Sequence, residues 1–318
     1  MSGKKSLLNN LGLHTPQLRA WAMYDWGISA YQTVIMAAVF PIFFNQYAAH
    51  GLTKVEQTQW FSFAQTIGAV LIAILAPILG AVADYKAAKK KFLGWFMILG
   101  VGSTSAMFLI GQGQVLFACI LLVISLAGAT GSTAFYEALL PHIATEEEMD
   151  RVSTAGYALG YVGGGVLLAL NLVIIQAPQL VGLPSGPGLT PEQASLPTRI
   201  SFVSVGVWWL LFSIPVLRKV PEPPRAIEAD ERADANPFAV AFSRLGETLR
   251  ELRGYKQAFL MMVAFTIYND GIQTIIKMAA QWGDRNGIAR SDLITAILMV
   301  QFIGIPCAFA FGYLAKFI

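Results

Sequence analysis

The chain has 318 residues, of which 55% are hydrophobic and 13% are charged, whereas soluble globular domains carry about 25% charged residues. Its net charge is +3 and its mean hydropathy is +0.57, values that exclude a single water-soluble core. Both cysteines, Cys119 and Cys307, lie inside apolar stretches, which excludes a disulfide framework or a cysteine-based metal site.

Long apolar stretches recur along the whole chain. A bilayer core of roughly 30 Å requires about 20 mostly apolar residues per helical span. Eight such stretches are present, at 20–46, 58–83, 92–111, 115–140, 154–176, 200–217, 258–282 and 292–315. Backbone groups in lipid must be satisfied within their own segment, and runs this long do not alternate as barrel strands do. The sequence therefore predicts an all-α integral membrane protein with the lipid bilayer as its main partner.

The basic residues predict the orientation of these spans. With the N-terminus inside, 17 of the 22 Lys and Arg residues fall in inner segments and only Lys54, Arg199, Arg285 and Arg290 in outer ones. Cytoplasmic loops accumulate positive charge, so we expect a multi-pass protein of the plasma membrane with a cytoplasmic N-terminus. The first 20 residues lack the pattern of a removable signal peptide. The positive charge follows from topology and gives no support to nucleic-acid binding.

Two long connections separate the spans. The stretch 177–199 is rich in Pro and Gly and is predicted to be an external loop. The stretch 218–256 is predicted to be a cytosolic linker, in which Asn236 caps a helix that begins at Pro237. Apolar residues then recur at helical spacing, namely Phe238, Phe242, Leu245, Leu249 and Leu252. This pattern predicts an amphipathic helix on the membrane surface or against the bundle.

Two short segments of the first and second spans recur in the seventh and eighth. Residues 24–28 (YDWGI) parallel 268–272 (YNDGI), and 65–68 (QTIG) parallel 301–304 (QFIG). Transporters are often built from duplicated halves, so we expect a parallel repeat of six spans plus six. The predicted domains are a six-helix bundle (1–217), a linker (218–256) and the first two helices of an incomplete second bundle (257–318). On this interpretation about four of twelve helices are missing through C-terminal truncation.

Three groups of residues carry a family resemblance. The end of the second span and the connection after it contain Gly80, Asp84, Lys86, Lys89, Lys90 and Lys91. The other two groups are Tyr24-Asp25-Trp26 with FYEALLP (135–141), and Arg151-Val152-Ser153 followed by a run of glycines. Together they resemble the major facilitator superfamily, and specifically its branch of autophagy-related vacuolar amino-acid effluxers. The resemblance implies a helical bundle of twelve spans and alternating-access transport of a small solute, with amino-acid efflux as the narrower expectation.

The same resemblance suggests residues that control conformational change. These gating candidates are Gly80, Asp84, Lys86, Lys89, Lys90, Arg151, Gly160, Gly164 and Gly165. Tyr85 and Ala87 depart from the superfamily pattern, which prefers a basic residue and a glycine there. The glycines of the fifth span are similar to an antiporter motif, except that Tyr161 replaces its proline. The alternative is that they form a close helix-packing face.

Polar side chains within the spans are candidates for the substrate or proton pathway, because such groups are costly in lipid. They are Asp25, Gln32, Gln65, Glu137, Asn171, Asn269, Asp270, Gln273 and Lys277. Asp270, Gln273 and Lys277 share one helical face. An amino-acid substrate requires both charge signs, which an aspartate and Lys277 provide. Glu137 alternatively forms a gating ion pair with Arg151 or the lysine cluster. We expect no cofactor and no metal, with H⁺ as the coupling ion.

The alternatives to a transporter are an enzyme and a scaffold. His14, His50 and His142 lie apart from each other and from the cysteines, and no phosphate-binding loop is present, so we do not expect an enzyme. A non-transporting scaffold or receptor, or an inactive fragment of a transporter, stays open, as does the oligomeric state. Solute flux in liposomes separates these alternatives.

Overall fold

The computed structural model describes residues 7–225, 236–252 and 254–314. Part of the predicted linker (226–235), the end of the last predicted span, and five of the basic residues used to predict orientation lie outside this range. Those residues are Lys4, Lys5, Arg232, Arg253 and Lys316. Every regular element of the described chain is helical, which confirms the all-α prediction.

Within the described residues, seven helices are long and apolar enough to cross a membrane. They are α1 (Pro16–Ala48), α2 (Lys54–Lys86), α3 (Lys89–Leu109), α4 (Val115–His142), α5 (Glu146–Gln176), α6 (Pro191–Lys219) and α7 (Lys256–Arg285). The eighth predicted span corresponds to α8 (Arg290–Leu314), which contains a shorter apolar helix over Ser291–Cys307. The linker helix (Pro237–Leu252) begins at the predicted residue, and Asn236 Oδ1 accepts a hydrogen bond from the Phe238 N–H at 3.0 Å.

Several of these helices contain or adjoin irregular turns. Helix α1 consists of Pro16–Ala30, a π-helical turn Tyr31–Ala38, Val39–Phe43 and a second π-helical turn Phe44–Ala48. Three 3₁₀ turns follow α-helical segments in the described chain: Met107–Leu109 follows Lys89–Ala106, Leu140–His142 follows Val115–Glu137, and Pro178–Val181 follows α5. A short helix, Leu7–Asn10, precedes α1.

The external loop was predicted too long at its C-terminal end. Helix α6 begins at Pro191, nine residues before the predicted span at 200. Thr190 and Gln193 form a reciprocal capping box, and Pro191 occupies the first helical position, where its missing N–H costs nothing. Helix α5 likewise begins at Glu146 rather than 154, because Glu146, Glu147 and Glu148 fill its first turn and stabilise a polar extension.

Helix α1 lies at the centre of the bundle, and 89% of its apolar window is buried. It packs against α5 and α6, while α3 packs against α4 and α6, and α2 against α4. Helix α8 packs against α5, α7 against the C-terminal half of α1, and the linker helix against α2. We name the end of the bundle at which α1 begins the inner end and the opposite end the outer end, after the orientation predicted from the basic residues. None of the apolar window of α7 is buried, as expected for side chains that face lipid or other helices.

A backbone-to-backbone contact joins α3 and α4. A Cβ added to Gly128 would overlap the backbone of Gly100 and lie 2.8 Å from the Phe96 carbonyl oxygen. Small residues allow such approaches, which supply the van der Waals contact that drives helix association in lipid. For Gly102, on the same helix as Gly100, no atom of residues 7–225, 236–252 or 254–314 lies within 4 Å of an added Cβ.

These two glycines provide a matched test of the packing. We expect Gly128→Ala to lower the free energy of unfolding by about 1–3 kcal/mol, because the new methyl group forces α3 and α4 apart. Gly102→Ala is expected to be neutral or to stabilise by up to about 1 kcal/mol, because only helix propensity changes. Thermal unfolding of the purified variants in detergent measures both. Equal midpoints for the two variants would contradict the contact.

Candidate functional site

The carboxylate of Asp25 lies in the inner half of α1, against a glycine-lined face of α5. Its Oδ1 accepts a hydrogen bond from Ser29 Oγ, one turn further along α1, at 3.2 Å. A Cβ added to Gly156 would lie 3.4 Å from Asp25 Oδ2, and one added to Gly160 would lie 3.1 Å from Oδ1 and overlap Ser29 Oγ. Glycine at 160 therefore makes room for Ser29 and the half-buried carboxylate, while glycine at 156 makes room chiefly for the Trp21 ring, which an added Cβ would approach to 2.7 Å.

The same face of α5 continues along α1. A Cβ on Gly163 would overlap the Trp26 carbonyl oxygen, and one on Gly164 would lie 2.6 Å from Thr33 Oγ1. Gly165 points toward α8, where an added Cβ would lie 3.3 Å from Gln301 Cβ. These contacts form a helix-packing face, as one interpretation of the motif predicted. An antiport role of Gly160, Gly164 and Gly165 stays a prediction.

Aromatic rings and a second carboxylate surround the inner half of the site. Trp21 stacks on Tyr136 with ring centroids 4.5 Å apart, and its Nε1–H donates to the Tyr136 carbonyl oxygen at 3.1 Å. Tyr24 packs on Tyr136 at 4.6 Å. Glu137, next to Tyr136, is exposed. The contacts of Tyr136 with Trp21 and Tyr24 thus bring the end of α4 that carries Glu137 to the part of α1 that carries Asp25.

The polar residues of α7 differ in exposure. Asn269 and Lys277 are partly buried, while Asp270 and Gln273 are exposed. The role of this stripe in a transport pathway stays a prediction. Helix α7 contacts the first π-helical turn of α1, Tyr31–Ala38. Gln32 lies in that turn with an exposed side chain.

The two remaining pathway candidates connect helices. Gln65 Nε2 approaches the Met278 sulfur at 3.9 Å, a weak contact between α2 and α7. Asn171 is 1% exposed and accepts a hydrogen bond from Ser204 Oγ at 2.9 Å, which connects α5 and α6. The Asn171 Nδ2 group has no partner in the part of the chain that the structure describes, so part of this amide is available for a hydrogen bond to a bound molecule or water.

The gating candidates at the inner end form a local ion cluster. Lys89 Nζ lies 2.8 Å from Asp84 Oδ1 and 3.2 Å from His142 Nε2. The Lys90 backbone N–H donates to the Glu222 carboxylate, at 3.0 Å to Oε2. Lys86 is exposed at the end of α2. The connection between α2 and α3 is therefore held to the ends of α4 and α6.

The gating roles of Gly80 and Arg151 stay predictions. A Cβ added to Gly80 would meet nothing within 4 Å in the described part of the chain. Arg151 Nη2 pairs with Glu148 Oε1 at 3.5 Å, an i,i+3 contact within α5, and not with Glu137.

Ala87, where the superfamily pattern prefers glycine, adopts a left-handed conformation (φ 52°, ψ 59°). It terminates α2, with the Ala88 N–H bonded to the Ala83 carbonyl oxygen at 2.9 Å. The conformation costs roughly 1–2 kcal/mol for a residue with a Cβ. Ala87 nevertheless forms the turn at the position where the pattern prefers glycine.

A polar network at the opposite, outer end was not predicted. Asp284 Oδ2 accepts from Asn45 Nδ2 at 3.1 Å, and its Oδ1 accepts from Gln46 Nε2 at 2.8 Å. Gln281 Nε2 donates to Asn45 Oδ1 at 3.1 Å. The available signal was that 45–46 and 281–285 place polar side chains at the same end of their spans. Among the described residues, no group of three His, Cys, Asp or Glu side chains could hold a metal ion.

The helical bundle has the architecture of a transporter of the major facilitator type. The xylose transporter XylE of E. coli, in a partially occluded inward-open conformation, matches 92% of this chain and 69% of its own length with a TM-score of 0.58 and 13% identity. That likeness shows the fold. The chain belongs to the family described as "Vacuole effluxer Atg22 like", whose model matches residues 14–318.

Relatives with curated names agree with this assignment. An uncharacterized MFS-type transporter, YxiO of Bacillus subtilis, is 33% identical over 303 residues, which cover 95% of this chain and 68% of the relative. Autophagy-related protein 22-1 of Aspergillus niger is 24% identical over 172 residues, or 52% of this chain and 26% of that protein. The match thus spans about two thirds of the bacterial relative and a quarter of the fungal one.

The contact of Gly160 with Ser29 and Asp25 can be tested by adding a methyl group at position 160. We expect Gly160→Ala to lower the unfolding free energy by about 1–3 kcal/mol, because the new methyl group overlaps Ser29 Oγ. Removing that hydroxyl in Gly160→Ala/Ser29→Ala is expected to recover part of the loss. Thermal unfolding in detergent, with Ser29→Ala alone as the control, gives the coupling between the two positions. Additive effects of the two substitutions would contradict the contact.

Proposed function

We propose that this protein is a secondary active transporter that exports small solutes of the amino-acid class by alternating access, with H⁺ as the coupling ion. The observation that carries the proposal is the Asp25 carboxylate, which lies half-buried between two membrane-spanning helices and is held by Ser29. A carboxylate within a span is costly unless it faces a cavity or a partner. Its presence at a tight helix contact therefore calls for a functional explanation.

Asp25 and Glu137 suit the handling of a cation. The contacts of Tyr136 with Trp21 and Tyr24 bring the two carboxylates to one part of the bundle, and neighbouring carboxylates favour binding of a proton or of a solute amino group. Lys277 on α7 supplies the opposite charge that a solute carboxylate needs. A zwitterion of the amino-acid class carries both charges, and the carboxylates of α1 and α4 and the ammonium group of α7 offer a partner for each. We therefore propose this class of solute.

Alternating access requires two bodies that move around the solute. We propose the six-helix bundle 1–217 as one body and 257–318 as part of the other, joined by the linker 218–256. The π-helical turns of α1 lie where α7 contacts it, and such turns occur frequently at functional sites. The family description "Vacuole effluxer Atg22 like" supports the export direction.

The protein is a multi-pass membrane protein, and we propose the plasma membrane as its location with the N-terminus in the cytoplasm. The lysine and arginine asymmetry supports this orientation. The bacterial relative in Bacillus subtilis supports the plasma membrane as the location. A small-molecule solute and the bilayer are its proposed partners.

Flux measurements test the function. Purified protein in liposomes is expected to move radiolabelled amino acids across the bilayer, and Asp25→Asn or Lys277→Gln is expected to lower the initial rate at least about tenfold, equal to roughly 1.4 kcal/mol of barrier. Asp150→Asn removes an exposed carboxylate at the inner end of α5 and is expected to transport like the wild type.

Two results would count against the proposal. Unchanged flux in both variants would remove Asp25 and Lys277 from the mechanism. A monodisperse wild-type protein without flux of any amino acid would favour a non-transporting scaffold or receptor. Size-exclusion profiles of every variant separate loss of transport from loss of folding.

A further inference from the structure

The outer network joins the end of α7 to both α1 and α2. Besides the bonds of Asp284 to Asn45 and Gln46, Arg285 Nη1 donates to Thr58 Oγ1 at 2.6 Å. Lys54 Nζ donates to the Arg285 carbonyl oxygen at 3.0 Å. These contacts join residues more than 200 positions apart, between the two proposed bodies of the transporter.

We propose that Asn45, Gln46, Gln281 and Asp284 form a clamp that keeps the outer end of the transport pathway closed and breaks when the protein opens outward. The inference rests on the proposed alternating-access function. It assigns the outer gate to these four side chains, with Arg285 and Thr58 as a second attachment.

The geometry suits a lock between two helices. One carboxylate, Asp284, accepts hydrogen bonds from two adjacent amides of α1, so a single side chain fixes both the position and the rotation of α7. Hydrogen bonds to a charged acceptor are stronger than neutral ones. The π-helical turn Phe44–Ala48 carries both amides and places them toward α7.

One group within the clamp, the Gln281 side-chain carbonyl, favours the open state. Gln281 is 1% exposed and donates to Asn45, but its Oε1 has no partner among the described residues. A buried carbonyl oxygen without a partner is unfavourable, and opening would expose it to water. The hydration gained by Gln281 offsets part of the loss of the Asp284 bonds, so the closed state is not held irreversibly.

The segment of α7 below the clamp is the place to detect opening. Met278 lies one turn before Gln281, toward the middle of the span, and contacts Gln65 of α2. It is partly buried. A cysteine at this position is shielded from the outer solution while the clamp is closed and becomes accessible when α7 moves away from α1.

The experiment measures the rate at which a membrane-impermeant maleimide labels Met278→Cys in a Cys119→Ala/Cys307→Ala background. Right-side-out and inside-out vesicles are both labelled, and the side that labels His50→Cys, an exposed loop position, is the outer side. Asp284→Ala is expected to raise the rate from that side at least about tenfold by shifting the population toward the open state. Asp284→Asn, which keeps one acceptor oxygen, is expected to give an intermediate rate.

Asn286→Ala is the matched control, because the Asn286 side chain bonds to the Trp282 carbonyl oxygen within α7 and does not reach α1. It is expected to label like the parent. Unchanged labelling in Asp284→Ala and in Asp284→Ala/Arg285→Ala, with both proteins monodisperse, would overturn the clamp. The readout needs no solute, so increased labelling without any amino-acid flux would support the clamp and count against the proposed function.

Discussion

The contact between α1 and the glycine face of α5 determines how the rest of the bundle is arranged. Glycine at 156, 160, 163 and 164 brings the two helices together so closely that a side chain at any of these four positions would overlap α1. This approach buries α1 on the side that carries Asp25 and leaves α6, α7 and α8 to pack around the pair. Because lipid provides little hydrophobic drive between helices, contacts of this kind supply the association energy.

The same contact explains why a carboxylate is tolerated within a span. Asp25 accepts a hydrogen bond from Ser29 and borders two glycines, so it is not in direct contact with lipid-facing side chains. At the two ends of the bundle the interactions are different in kind. The inner end carries ion pairs and hydrogen bonds within the first six helices, such as Lys89 with Asp84. The outer end carries the clamp that joins α7 to α1 and α2.

Much of this arrangement could be predicted from the sequence, because span length, hydropathy and helix caps are local properties. The spans, the linker helix from Pro237 and the family followed from such patterns. The early start of α6 was missed because the capping box at Thr190 lies in a stretch rich in Pro and Gly. The π-helical turns of α1 have no comparable signature in the residues 31–38 and 44–48.

The outer clamp was not predictable for a different reason. Asn45 and Asp284 are separated by 239 positions, and their pairing depends on how α7 is placed against α1, which no local pattern determines. The glycines of α5 were predicted with two roles, and only the structure shows that Gly160 contacts Ser29 and Asp25. The remaining pathway residues, such as Asp270 and Gln273, are placed on an exposed face of α7 and stay predictions.

The central claim is that Asp25 exchanges a proton as solute moves. The most direct measurement is internal pH in liposomes loaded with a pH-sensitive dye when a mixture of the twenty amino acids is added outside. The account predicts a pH change with the wild-type protein that is absent with Asp25→Asn reconstituted at equal density. The same change with both proteins, or no change with a wild type that moves amino acids, would contradict it.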